Sequence, residues 1–424
     1  MLTNLTLAVL LGAAPAQVAD WNQWRGPGRD AVAGSFSGPW PADLKRLWRT
    51  EVGSGQSSPV VSGNGVFLFT RQAEREVVHA LDLRTGALRW RQGYAAPYAV
   101  YPGAASYGKG PRSTPVVQDG RLFTLGIGGI LSAYEESTGR LLWQKDFAGR
   151  FPATAPPFGT SMSPLMASGL LIVHAGGHEG GALIALDPAT GSEKWSLAGE
   201  GPSYSSPILT TLLGQEQLVI QVHRKLLGVD PVAGRVLWSV PFVTPCDQNI
   251  VTPLVVGNRL VVSSRDKGTM AIELTRPGSE WVPRVAWHTT DVSMYMSSPV
   301  AANGKVVGLS HRKRGQFFAL DPATGKVQWL SDGARGENAA LVAAGESLLI
   351  LQGDGTLLVL PGDAPGFAPL RKYQVAETAT FAHPVPTSAG LLIKDEAGLA
   401  LFGMASDDGR ASGPAGAASR GPRQ

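Results

Sequence analysis

Apolar runs of about four to eight residues, bounded by Gly, Pro, Asp and Ser, follow one another along the chain in a fixed order, which is the pattern of short strands joined by tight turns. No stretch sustains helical periodicity. Each unit opens on a Ser/Thr-Pro phrase followed by apolar residues: SSPVV around Pro59, STPVV around Pro115, MSPLM around Pro164, SSPIL around Pro207, VTPLV around Pro253 and SSPVA around Pro299. Two further apolar runs follow. The unit then closes on an acidic turn with Gly and a last run ending in Trp: LDLRTGALRW to Trp90, YEESTGRLLW to Trp143, LDPATGSEKW to Trp195, VDPVAGRVLW to Trp238 and LDPATGKVQW to Trp329. Asp or Glu can accept hydrogen bonds from the amides of its own turn. Gly86, Gly139, Gly191, Gly234 and Gly325 can take the positive φ such a turn requires.

Six clear units occupy residues 57–90, 113–143, 162–195, 205–238, 251–287 and 297–329. A degenerate seventh runs from 339 to about 373, with Tyr373 in the place of the Trp. The eighth, 382 to about 404, has three strand-like runs and lacks a fourth, while the segment RLWRTEV around Trp48 is a fourth strand with no unit of its own. Both anomalies disappear if Trp48 completes the last sheet. The predicted fold is therefore all-β: an eight-bladed propeller of four-stranded antiparallel blades, closed by the N-terminal strand, which protects the edges an open array would expose. The Trp of each outer strand is expected to pack against the neighbouring blade.

The ring accounts for residues 44–404 as a single domain. Residues 1–19 carry a short apolar core followed by Ala14, Ala16 and Ala19; they read as a secretory signal peptide, although no Lys or Arg precedes the core. Export to the periplasm or cell envelope is expected. Residues 20–43, opening WNQWRGPGRD, read as an irregular lead-in lying on the body, and 405–424 as a disordered tail rich in Gly, Ser, Ala, Pro and Arg. No later run is long enough to cross a bilayer. Cys246 is the only cysteine, which excludes an internal disulfide and cysteine-based zinc, and its expected role is inert packing. With no cysteine after the signal-like segment, lipid anchoring is not expected. A net charge of +4 is too small, without a clustered patch, to imply nucleic acid.

Antiparallel topology sorts the connections. With strands A to D counted outward from the channel, A–B and C–D turns share one face, and B–C turns and D–A crossings share the other. The A–B turns (SGNG, QDGR, ANGK) are terse. The long crossings 91–112, 144–161, 239–250 and 330–338 fall on the opposite face, together with the basic B–C loops RQAERE, HRK, RDKG and HRKRG. The first crossing holds Tyr94, Tyr98, Tyr101 and Tyr107, four of the eight tyrosines. Aromatic and Arg residues on long loops suit a macromolecular contact, and Tyr98, Tyr101, Arg112, Arg265, His311, Arg312 and Arg314 are the candidate partner-binding residues. The plainer alternative is a solvated face, its positive charge diluted by Glu74, Glu76, Glu179 and Asp266. His178, His223 and His311 lie in separate units without ligand spacing, so no metal site is expected.

No catalytic constellation is recognisable: no nucleophile elbow, no HExxH helix and no phosphate loop. GIGGI and GGHEGG lie between strands, so no helix follows to bind a phosphate. GDGT has too few carboxylates for a calcium loop. With the repeats aligned, the chain resembles the pyrroloquinoline-quinone (PQQ)-type β-propeller repeat family over about residues 48–404. Its WRGPGRD opening looks like that of an exported bacterial subgroup similar to the outer-membrane assembly lipoprotein. The resemblance implies one of two classes. Quinoprotein alcohol or sugar dehydrogenases hold PQQ and Ca²⁺ over the pore, in many members beneath a disulfide of adjacent cysteines that this chain cannot form. Non-catalytic scaffolds bind a partner through one face. The expectation is the second: a scaffold without cofactor that binds a protein, with an anionic glycan as the alternative ligand.

Overall fold

The computed structural model describes residues 20–34, 36, 40–244 and 247–404; the signal-like segment, Cys246 and the C-terminal tail fall outside the described residues. Eight antiparallel sheets of successive strands form the ring. Blades 1 to 7 cover residues 60–95, 116–145, 165–198, 208–241, 254–289, 300–330 and 339–374. Blade 8 takes its three inner strands from Val385–Thr387, Gly390–Lys394 and Gly398–Gly403, and its outer strand from Lys45–Glu51. Trp48 pairs with Leu401, so the two ends of the domain meet in one sheet as expected. Helical structure among the described residues is confined to short 3₁₀ turns, including Pro102–Tyr107 and Arg312–Arg314.

The repeated phrases have two distinct mechanical roles. The first is a belt of hydroxyls around the channel. The amide of Ser58 donates to Thr114 Oγ1 at 3.0 Å, that of Thr114 to Ser163 Oγ at 2.9 Å, that of Ser163 to Ser206 Oγ at 2.9 Å, that of Ser206 to Thr252 Oγ1 at 3.1 Å, and that of Thr252 to Ser298 Oγ at 3.0 Å. Proline confines the Ser or Thr before it to an extended conformation, and that hydroxyl satisfies an amide that no strand would pair. The His383 amide donates to Ser58 Oγ at 2.9 Å, which joins blade 8 to blade 1.

The second role belongs to the turn. In blade 1 the Asp82 carboxylate accepts from the amides of Arg84 and Thr85, while the Thr85 hydroxyl accepts from the Ala87 amide. The same pattern repeats at Asp187 and Asp321. A bulge just before the Trp of the preceding blade turns its indole toward this structure. Trp48, Trp90, Trp143, Trp195 and Trp287 each donate Nε1–H to a carbonyl of the next blade's turn, at Leu83, Glu136, Pro188, Pro231 and Pro322, over 2.8–3.1 Å. The Gly of that turn lies flat under the indole.

The exceptions follow from the same rule. Blade 5 has no acidic turn, and Trp238, one blade before it, lies instead over Gly228 of its own blade and donates to Gln217 Oε1 at 2.6 Å. Blade 7 also lacks the turn, and Trp329 packs near Phe367, 6.1 Å between ring centres.

The lead-in departs from expectation. Instead of lying on the body it enters the channel. Asp20 accepts from the Gly63 amide in the A–B turn of blade 1, the Trp21 carbonyl accepts from Val61, and the Asn22 carbonyl accepts from Val117. Arg25 and Arg29 are buried. Arg25 donates to the Pro299 carbonyl, and Arg29 to those of Pro164 at 2.8 Å and Ser163 at 2.9 Å, on the belt itself. The segment then returns to the short-turn face, where Val32–Ala33 pairs in parallel with Ala343 and Ala344 and adds a fifth strand to blade 7. Gly-Pro-Gly spacing is what lets a chain reverse in so narrow a space: Gly26 takes φ +78°, and Arg25, Arg29 and Ala31 also have positive φ.

Candidate functional site

The long-loop face carries a cup of about 330 Å³ at the channel mouth. Its floor is the indole of Trp24, held by the plugging lead-in, with the Arg25 and Arg29 guanidiniums 5.4 and 5.7 Å from the ring centre and His383 edge-on at 5.7 Å. Its walls come from the D–A crossings: Tyr107, Phe158, Tyr204, Tyr295 and Phe381. Arg112, at the end of the first crossing, and Arg265, on the B–C loop of blade 5, complete them.

The aromatic wall is continuous on one side. Tyr101 meets Phe158 at 5.2 Å, Phe158 meets Tyr204 at 5.8 Å, and Tyr204 meets His178 at 5.5 Å, which stacks on His223 at 4.2 Å. Two histidines that sequence spacing keeps apart are thus in contact. Burial, then the neighbouring His223, lowers the His178 pKa to about 4. Tyr107 bridges the mouth by donating to Glu337 at 3.2 Å; burial and that carboxylate push its phenol up to about 12.

The candidate partner-binding residues form two arcs around the cup. Tyr98, Tyr101 and Arg112 lie on the first, with Tyr101 half exposed at the rim. Burial raises the Tyr98 pKa and lowers that of Arg112. On the second arc Arg265 stacks over Tyr295 at 5.1 Å and lies 3.6 Å from Asp266, whose other oxygen is 3.2 Å from His311 Nε2. Burial lowers the His311 pKa. Arg312 and Arg314 are exposed on the adjoining 3₁₀ turn. Of the other basic loops, Arg75, Arg224 and Lys225 are exposed, whereas Arg71 is buried and donates to Ala96 and Glu74, and Glu74 also accepts from Lys109. Glu76 is buried as well and accepts from the Ile127 amide and Tyr94.

Trp24, Phe158, Tyr204, Tyr295 and Phe381 escaped the sequence reading. The wall residues do carry a signal, an aromatic a few positions before a Ser/Thr-Pro phrase or its equivalent in blade 8. Trp24 carries none, because nothing local says that the lead-in enters the channel.

Among the described residues no carboxylate lines the cup, and those that do line it neither fit a calcium ion nor offer a carboxylate base. The fold and this mouth define a closed, PQQ-like eight-bladed propeller with a plugged channel. The chain belongs to the family described as outer membrane protein assembly factor BamB, whose sequence profile matches residues 74–331. It is 24% identical to the BamB of Burkholderia pseudomallei over 355 residues, 74% of this chain and 87% of that protein. Among solved structures, BamB from Moraxella catarrhalis superposes with a TM-score of 0.62 at 16% identity, covering 85% of this chain and 98% of the other. A europium-containing methanol dehydrogenase superposes at 0.65 with 13% identity, covering 91% and 89%. Likeness at such identities speaks to fold alone.

Proposed function

We propose that the protein is an exported, non-catalytic scaffold that binds a protein partner through its long-loop face, in envelope or outer-membrane protein assembly. One observation carries this reading: Tyr101, Arg265, Arg312 and Arg314 collect around one mouth of the ring, while the opposite face ends mostly in terse turns, the C–D connections 276–281 and 362–370 excepted. Aromatic and Arg side chains on rigidly supported loops are the usual anchors of a protein interface. The kinship with outer-membrane assembly factors supports the same reading. Neither cofactor nor nucleic acid is required by it. Protein mixed with PQQ and Ca²⁺ and then gel-filtered is expected to retain no quinone absorbance.

The test is crosslinking in the native host followed by mass spectrometry. Wild type would be compared with Arg312→Glu plus Arg314→Glu and, on the opposite face, Asn64→Lys. Loss of crosslinked partner in the double variant, with retention in Asn64→Lys, is expected. Equal crosslinking in all three would remove the face from the interface, and displacement by an anionic polysaccharide instead of a protein would move the ligand to the glycan class.

A further inference from the structure

We propose that the cup receives a carboxylate carried beside an aromatic side chain of the partner polypeptide, with Arg112 as the group that pairs with it. This rests on the reading of the long-loop face as a docking surface and names what enters it. Arg112 and Arg265 face the cup, and Arg25 and Arg29 lie directly beneath its floor. None of the lining residues is acidic; Asp266 and Glu337 stand outside the lining, beside Arg265 and Tyr107. Arg25 bonds to the carbonyls of Pro299 and Asp30, and Arg29 to those of Pro164 and Ser163 and to Gln23 Oε1; the Asp30 carboxylate is the one acidic group acting on Arg25, so the two guanidiniums keep a net positive charge. Burial lowers their pKa values to about 10 and about 9, which leaves both protonated at neutral pH. A blind cavity with low-dielectric walls concentrates such a field toward its mouth. Arg112 makes no hydrogen bond or ion pair among the described residues, and its planar fork matches a carboxylate. The surrounding rings of Phe158, Tyr204 and Phe381 give an aromatic side chain edge and face contacts.

Fluorescence anisotropy with the full-length protein and labelled tetrapeptides tests this. The first peptide is three glycines and a C-terminal tyrosine with a free carboxylate. The second is the same peptide amidated, and the third is amidated with glutamate before the tyrosine. Binding of the first or third, about tenfold or more tighter than the second, is expected, and their order tells whether a chain end or a side chain supplies the carboxylate. Arg112→Gln should abolish that difference, and Arg112→Lys should restore part of it. Arg265→Gln, on the exposed side of the cup, gives a second reading should Arg112→Gln lower the melting temperature. Equal binding of acid and amide, no binding of either acidic peptide, or an unchanged preference in both Gln variants would overturn the proposal. Crosslinked partner lost in the rim double variant but fully retained in Arg112→Gln would overturn the cup while leaving the docking face in place.

Discussion

The indole of Trp48 lies flat on Gly86 of the neighbouring blade, donates Nε1–H to Leu83 O at 3.0 Å, and leaves no room for a β-carbon, which would sit 2.6 Å from the ring. This contact joins the N-terminal strand to blade 1 and closes the ring where the chain's two ends meet. Gly86 is therefore doubly constrained, by a φ of +69° and by the indole.

Gly86→Ala and Gly120→Ala separate those constraints. Gly120 has nearly the same φ, +72°, but nothing within 4 Å of a new methyl group. The Gly120 variant should lose about 1 kcal/mol, the backbone cost alone, and Gly86→Ala a further ~1–3 kcal/mol from displacing the indole. Urea denaturation of both variants measures the gap, and equal losses would deny the docking role.

Ser58→Ala removes the hydroxyl that accepts the His383 amide, leaving a buried N–H unpaired between blades 8 and 1. A loss of ~1–3 kcal/mol is expected. Hydrogen exchange should speed first at His383, and protection unchanged there would show that the belt does not hold this junction.

Limited trypsin digestion reads the position of the lead-in. Arg25 and Arg29 are buried in the channel, whereas Arg312 and Arg314 are exposed on a turn. Cleavage at 312 or 314 should precede any at 25 or 29. Early cuts at Arg25 or Arg29 would place the segment outside the ring.

Stability should fall on mild acidification. Burial lowers the pKa of His79 and His174 to about 4 and that of His383 to about 3, below the value near 6.5 of the unfolded chain. Below about pH 6.5 the unfolded state takes up protons that the folded state refuses, so stability is complete above that pH and is lost progressively toward pH 4. The apparent melting temperature should drop between pH 7 and pH 5. A flat profile would contradict neutral burial of these rings.

The blades, their order and the closing strand around Trp48 were legible because each rests on local chemistry: an Asp turn, a positive-φ glycine, a Pro-fixed strand entry. Which face carries most of the long loops followed from antiparallel topology; the long C–D connection 362–370 of blade 7 lies on the other. Tyr98, Tyr101, Arg112 and Arg265 were readable as loop residues for the same reason. The shared wall of Phe158, Tyr204 and Tyr295 was not, since those residues lie in three different crossings.

The sequence by itself determined the repeat, the ring and the side on which binding residues would gather, because neighbours in sequence are neighbours within a blade. Only the tertiary structure decided that Trp24 floors the cup and that Arg25 and Arg29 sit buried beneath it, bonded to carbonyls of distant blades. Those contacts join residue 29 to residues 163 and 164 and residue 25 to residue 299 across the channel, and no local propensity specifies a contact made through the middle of a closed ring.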